Sequence, residues 1–326
     1  MASGITHILL VKHLQDVLPA GMMKQTLAAG RDFLQVGAVG PDLPYASIMD
    51  NDFFFTDQSA LADKFHYVKT NEVPLYALGE LKKRKDKLSV KELRFAFNFF
   101  AGFISHIVAD GIIHPYIRDK VGDYKDHKTA HRTLEMKLDV MLYHYLTKYS
   151  AHPIQLNYAN LHDELENFNR ATYPEVDTVL KIFQEGIMEI YGEVYGIEMI
   201  LGWITGLHRM FGAVEGIHPA IYRIVGMENG LVFADYEDIN KQTDLLVLTK
   251  PVDRAKNFLK KERVHYYNDV IPMFYTKFIP LVQKLFDYIY QNGEPVTAGE
   301  IFPIDLDTGR PLAANNNLDI VPTFWS

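Results

Sequence analysis

His106-Ile-Val-Ala-Asp110-Gly-Ile-Ile-His114, with His131-Arg-Thr-Leu-Glu135 shortly beyond it, places five candidate metal ligands within thirty residues. Every step inside each group is four residues. Positions i and i+4 lie one above the other on an α-helix, so His106, Asp110 and His114 form one stripe and His131 with Glu135 a second. Imidazoles and carboxylates converging from two helices are the donor set of a multinuclear zinc site. With 13 histidines in 326 residues, such a window holds about one by chance; four are present, at 106, 114, 127 and 131.

The apolar residues around these stripes set the fold class. Helical spacing runs through residues 5–18, 90–114, 127–148, 174–195, 197–212 and 255–291, and no βαβ alternation or internal repeat interrupts it. The expectation is an all-α, multi-helix bundle around the metal site. It comprises one domain over 1–291 and an extended tail over 292–326, rich in Pro, Gly and Asn, packed on its surface. Gly37-Ala-Val-Gly40-Pro41-Asp42-Leu-Pro44-Tyr45 reads as a stiff turn, neither strand nor helix. Residues 46–90 read as mixed and loop-rich. The run Phe95–Ile113 is long enough to suggest a membrane span, but it carries His106 and Asp110, which are costly in lipid; a helix buried on all sides is expected instead.

Bulk composition narrows the chemistry. With 48% hydrophobic and 13% aromatic residues the chain can bury a large core, and it is folded, not disordered. The net charge of −8 argues against nucleic acid as a partner, since phosphate backbones recruit basic surfaces. The absence of cysteine removes disulfides, thiolate ligands and cysteine nucleophiles together. Any zinc must then sit on His, Asp and Glu, a set more frequent in hydrolytic than in structural sites. The N-terminal MASGITHILLVKHLQDVL has no basic leader region and does not read as a signal peptide, so a cytoplasmic location is expected. No P-loop, dinucleotide fingerprint or Gly-x-Ser-x-Gly elbow is present.

Each candidate has two readings. His131 and Glu135 share a face with Leu138 and Leu142, where a bare carboxylate would cost several kcal/mol; a buried His–Glu hydrogen bond or a metal resolves that cost. His106 and Asp110, among Phe99, Phe103 and Ile113, repeat the anomaly on a second helix, and the repetition favours metal. His7 lies on the apolar face of the first helix with Val11, Leu14 and Leu18, as a core residue or as a ligand. Asp42, in its Gly/Pro turn, serves either the backbone or a metal. His66 has no spacing signal of its own. His13 points away from the core. His127, His144, His152, His162 and His265 read as surface or cap residues, and His208 and His218 as core. Asp305-Leu-Asp307-Thr-Gly309 opens like a calcium loop but lacks the later acidic positions and the closing Glu, so it reads as a turn.

Taken in order, Thr6-His7-Ile8, Gly40-Pro41-Asp42, His66, Ser105-His106-x3-Asp110-x3-His114-Pro115-Tyr116 and His131-x3-Glu135 resemble the bacterial zinc-dependent phospholipase C family, which has the single-strand zinc nucleases and the glycosylphosphatidylinositol-specific phospholipase D as more distant relatives. The resemblance carries motifs over about residues 1–150. It implies an all-helical fold enclosing zinc ions: Asp42, His66, His106 and Asp110 around one, His114, His131 and Glu135 around a second, and His7 with a bridging Asp110 at a third. Two departures stand out. Secreted members complete the third site with an N-terminal tryptophan, where this chain begins Met1-Ala2-Ser3, and they use a longer spacing than the four residues between Asp110 and His114. Two zinc ions are therefore expected, with the third dependent on the N-terminus.

The function so implied is zinc-dependent phosphodiester hydrolysis. Zinc takes the pKa of bound water from about 15.7 to about 7, and Asp42 is the catalytic candidate that orients or deprotonates that water. A glycerophospholipid or smaller phosphodiester is the expected substrate, with transient contact at a membrane surface and no transmembrane segment. Two rivals remain. A zinc nuclease would place an aromatic base-stacking platform beside the metals, and a non-catalytic zinc protein would lack an open coordination position.

Overall fold

Eleven α-helices and one two-stranded ribbon lie among the described residues, which in this computed structural model are 4–49, 57–149, 165, 168–215, 236–248, 258–315 and 317–326. The helices are α1 (Gly4–Val17), α2 (Met22–Ala29), α3 (Arg31–Ala38), α4 (Ser59–Tyr67), α5 (Glu72–Arg84), α6 (Val90–Val121), α7 (Tyr124–Tyr149), α8 (Val176–Tyr191), α9 (Ile197–Glu215), α10 (Tyr236–Ile239) and α11 (Ile271–Tyr290). Strands β1 (Val247–Leu248) and β2 (Val264–His265) pair antiparallel, Val247 opposite His265. The fold is all-α.

Helix α6 is the axis. A capping box starts it: Glu92 N–H donates to the Ser89 hydroxyl at 3.1 Å, and Ser89 N–H donates to the Glu92 carboxylate at 2.8 Å, satisfying two donors that a helix start leaves open. From Phe95 the helix is buried without a break through Ile117, and it is apolar on every side apart from Asn98, Ser105, His106, Asp110 and His114, as a helix enclosed all round is expected to be. It is the one described helix long and apolar enough to cross a membrane, and its most apolar stretch is wholly buried inside the protein.

Helix α3 lies on α6 at backbone contact. A Cβ added to Gly37 would meet the Phe99 carbonyl oxygen at 2.0 Å, and one added to Gly102 would meet the Leu34 carbonyl oxygen at 2.2 Å. Only glycine permits that approach, and it brings the Ala38 carbonyl within reach of the His106 side chain. Gly102→Ala is accordingly expected to cost about 3 kcal/mol through overpacking, read as an earlier denaturant midpoint. An unchanged midpoint would show that α3 can withdraw freely.

Several local expectations change. The stretch 37–45 is helical: α3 runs through Ala38, and Gly40–Met49 forms a 3-10 segment with Pro44 inside it. Pro and Gly marked a tight backbone, and the tighter helix type is one of its forms. Residues 59–84, read as loop-rich, form α4 and α5, whose buried faces (Leu61, Ala62, Phe65; Val73, Ala77, Leu78, Leu81) are narrow. Helix α6 continues past His114 to Val121 through Pro115. Proline leaves the Gly111 carbonyl without its i+4 donor, and the C-terminal segment packs at this point: the Trp325 indole N–H donates to Ile112 O at 3.0 Å. The long final helix begins only at Ile271, after β2 and a π turn at Tyr266–Val270, with Pro272 in its first turn.

The C-terminal segment is not a surface strap. Ile301, Ile304, Leu306, Phe324 and Trp325 are buried in the same core as the helices. Thr70 Oγ1 donates to Ile304 O at 2.8 Å, and Leu306 N–H donates to His66 O at 3.0 Å. His152, His162, His218 and the first three residues lie outside the described part of the chain.

Candidate metal centre

Five elements deliver the side chains singled out in the sequence. His7 comes from α1, Asp42 from the 3-10 segment, and His66 from the last turn of α4. His106, Asp110 and His114 come from α6, and His131 and Glu135 from α7. All eight are buried, none more than 7% exposed. Asp110 is central. Its Oδ2 lies 3.1 Å from His106 Nε2 and 3.8 Å from His66 Nε2, while its Oδ1 lies 3.2 Å from His7 Nε2 and 3.4 Å from His114 Nε2. The two oxygens of one carboxylate thus face two different sets of imidazoles. Asp42 Oδ1 lies 3.2 Å from His66 Nε2, and Glu135 Oε1 lies 3.9 Å from His114 Nε2. His7 and His106 stack with ring centroids 3.8 Å apart. His7, Asp42 and His106 form one group whose donor atoms lie within 4.8 Å of one another, and His66, His106 and Asp110 form a second.

The outward ring nitrogens show which atoms are left for a ligand. His66 Nδ1 contacts Ala62 O at 2.7 Å, His106 Nδ1 contacts Ala38 O at 2.8 Å, and His131 Nε2 contacts Gly122 O at 2.5 Å. A carbonyl can only accept, so each of these nitrogens carries the proton. The lone pairs then fall on Nε2 of His66 and His106 and on Nδ1 of His131. Those inward nitrogens, both nitrogens of His7, Asp42 Oδ1 and both oxygens of Asp110 are buried and make no hydrogen bond among the described residues. Buried polar atoms normally find partners. So many converging without hydrogen bonds fit a cation, and the mix of imidazole and carboxylate donors suits zinc.

Electrostatics agree with that donor set at four of its members. Burial, helped by the nearby His106 charge, lowers the His7 pKa to about 4; burial and the His114 charge lower His131 to about 4. Burial alone would raise the Asp42 carboxyl, but the His106 and His66 charges outweigh it and take it down to about 2. Asp110 is held well below the usual range against its burial by His106, His114 and His7. Burial also lowers His106, but Asp110 and Asp42 outweigh it and raise the ring. Burial raises Glu135. At neutral pH the centre therefore offers neutral His7 and His131 beside ionised Asp42 and Asp110, the protonation states a metal requires.

Two supports were not anticipated. Asp139 extends the stripe of His131 and Glu135 by one more step of four, and its Oδ1 accepts from Thr6 N at 3.1 Å and Thr6 Oγ1 at 2.5 Å. A carboxylate at the first turn of α1 complements the helix dipole and sets His7 beside α7. Asp307, in the segment read as a turn, lies against His114. The turn itself is present: Thr308 N–H donates to the Asp305 carboxylate at 2.9 Å and Gly309 takes φ +67°. Burial pushes the Asp307 carboxyl up, but His114 and Arg118 outweigh that and hold it below the ordinary range.

A family model described as zinc dependent phospholipase C matches residues 6–196. The chain belongs to the zinc dependent phospholipase C family, a class of hydrolase that works with zinc. The matched span includes all eight residues of the centre and ends well before Asp307. No curated protein and no solved structure matches the chain.

Proposed function

We propose that the protein is a zinc-dependent phospholipase C-like phosphodiesterase acting on glycerophospholipids or smaller phosphodiesters. The observation that carries this reading is the placement of Asp110, whose two oxygens face His66 and His106 on one side and His7 and His114 on the other. In this reading Asp42, His66, His106 and Asp110 hold one zinc, and His114, His131 and Glu135 hold a second. His7 and Asp110 offer a third position. When bound, zinc supplies Lewis acidity toward phosphate oxygens and lowers the pKa of water at the site.

The chain's own residues do the rest. Asp110 holds the two halves of the centre at a fixed separation from within a rigid helix. Asp42 reaches the centre from the 3-10 segment and is its most exposed member; as an ionised carboxylate it can accept a proton from the attacking water. Backbone carbonyls at Ala38, Ala62 and Gly122 keep three imidazoles in one tautomer and orientation, which holds their basic nitrogens inward.

The test is a panel with zinc-loaded protein: a chromogenic phosphocholine diester, a nitrophenyl diester and single-stranded DNA, each with and without chelator. Hydrolysis of the diesters, abolished by chelator and exceeding that of DNA, is the expected result. Faster cleavage of DNA would identify a nuclease, and inertness toward all three by fully zinc-loaded protein would identify a non-catalytic binder.

A further inference from the structure

We propose that Asp307, far outside the family-matched span, is a positioning residue that orients His114 for metal ligation, so that the C-terminal segment completes the centre. The proposal rests on the reading of the site as a zinc centre and deepens it.

The four histidines whose outward nitrogens are accounted for follow one scheme. In His66, His106 and His131 the outward nitrogen is held by a backbone carbonyl, at Ala62, Ala38 and Gly122. His114 uses a carboxylate in that place: its Nδ1 lies 3.5 Å from Asp307 Oδ1, while its Nε2 faces Asp110 and Glu135. The ring is therefore flanked by carboxylates on both nitrogens, with the inner ones in the centre and the outer one donated by the chain's last segment. An ionised carboxylate accepts the Nδ1 proton, fixes the tautomer with its lone pair on Nε2, and makes that nitrogen a stronger base than a carbonyl would.

Asp307 is itself held. Arg118, one turn beyond His114 on α6, forms an ion pair with Asp307 through Nη1 and with Asp123 through Nη2. The Asp305 turn fixes its backbone: Asp305 N–H donates to Arg310 O at 2.8 Å, and Gly309 N–H donates to Asp305 O at 2.8 Å. Gly309 could not be replaced without disturbance, because a Cβ there would meet the Gly111 carbonyl oxygen at 2.4 Å. Next door, Leu306 N–H binds the main-chain carbonyl of His66. One short hairpin thus touches a residue from each of the two proposed zinc sites, the backbone of His66 and the side chain of His114. A surface turn would need neither the half-buried guanidinium brace nor the carboxylate aimed at a ligand's outer nitrogen.

Full-length wild type, Asp307→Ala and Asp307→Asn are to be compared by chelator-competition titration of zinc, by the visible spectrum after cobalt substitution, and by melting of the metal-free proteins. Loss of an outer-shell partner costs about 10–100-fold in metal affinity, so Asp307→Ala should weaken one zinc by that factor. Asp307→Asn keeps an acceptor oxygen but no charge; it should lose less and shift the cobalt bands while the metal-free protein melts near wild type. If the alanine variant fails to fold, the asparagine variant decides. Zinc affinity and cobalt spectrum unchanged from wild type, even with a lowered metal-free melting temperature, would overturn the proposal by showing a purely structural role. Wild type that binds no zinc at all would instead bring down the metal-centre reading, so the two failures are distinguishable.

Discussion

Removing the metal from the purified protein should lower its melting temperature by on the order of 10 °C or more. The centre buries carboxylates at Asp42 and Asp110 and imidazoles at His7, His66, His106 and His131 with inward atoms that make no hydrogen bonds among the described residues. A ligand that binds only the folded state stabilises it in proportion to the logarithm of its concentration over Kd, and a cation here also gives the buried carboxylate oxygens of Asp42 and Asp110 a partner. Acid should act in the same direction. His7 and His131 titrate near pH 4 in the folded, metal-free centre, against an ordinary value of 6.5. Between pH 6.5 and 4 the unfolded chain therefore binds more protons, and these two groups contribute stability that is present above 6.5 and lost as the pH falls through 4. Protons also compete with zinc for the same nitrogens, so zinc content should fall over that range as well. Elemental analysis paired with melting curves, with and without chelator, checks this. Metal-free protein as stable as the purified form would end the zinc reading.

The parts of the centre legible in the sequence were those on long helices. Steps of four at His106, Asp110 and His114, and at His131 and Glu135, are a periodic signal, and both helices formed where the apolar spacing put them. His7 showed only as an inward histidine on the face of Val11 and Leu14, core residue or ligand, and the resemblance alone joined it to the others. Asp42 and His66 carry no such period, and only the resemblance joined them to the others. The short helices α4 and α5 were missed because one narrow buried face over two or three turns is hard to tell from loop. Helix α6 outran its expected end by continuing through Pro115, next to the point where Trp325, more than two hundred residues away, donates to Ile112 O. Asp139 was readable in principle, one more step along the α7 stripe. Asp307 was not: its Asp-x-Asp-x-Gly setting describes a turn correctly, and nothing local reports that the turn leans on His114. Close backbone approach, as at Gly37 and Gly102, is equally invisible, because a glycine in a helix reads only as weak propensity.

Asp110→Asn should abolish binding of at least one zinc, whereas Asp42→Asn should retain most of the metal and lose activity by about 10²–10⁴-fold, the usual contribution of a general base. The difference follows from position. Asp110 sits fully buried at the middle of α6 with an oxygen toward each half of the centre. Asparagine there replaces a shared anion with a neutral amide whose NH2 group must point at one set of imidazole nitrogens, and a rigid helix leaves no room to turn away. Asp42 approaches from a 3-10 segment, with one oxygen 3.2 Å from His66 Nε2 and its donor atom within 4.8 Å of those of His7 and His106. His66, His106 and Asp110 still form a close donor group without it. The ionised Asp42 carboxylate, held at a pKa of about 2, is lost to the chemistry but not to the scaffold. The metal-free forms of both variants should melt near metal-free wild type, since neither substitution changes side-chain volume; a collapse of either would assign that residue to folding instead. Zinc stoichiometry and diester hydrolysis measured on the same preparations separate the roles. Equal zinc content in the two variants, with equal loss of activity, would show that Asp110 does not join the two halves of the centre.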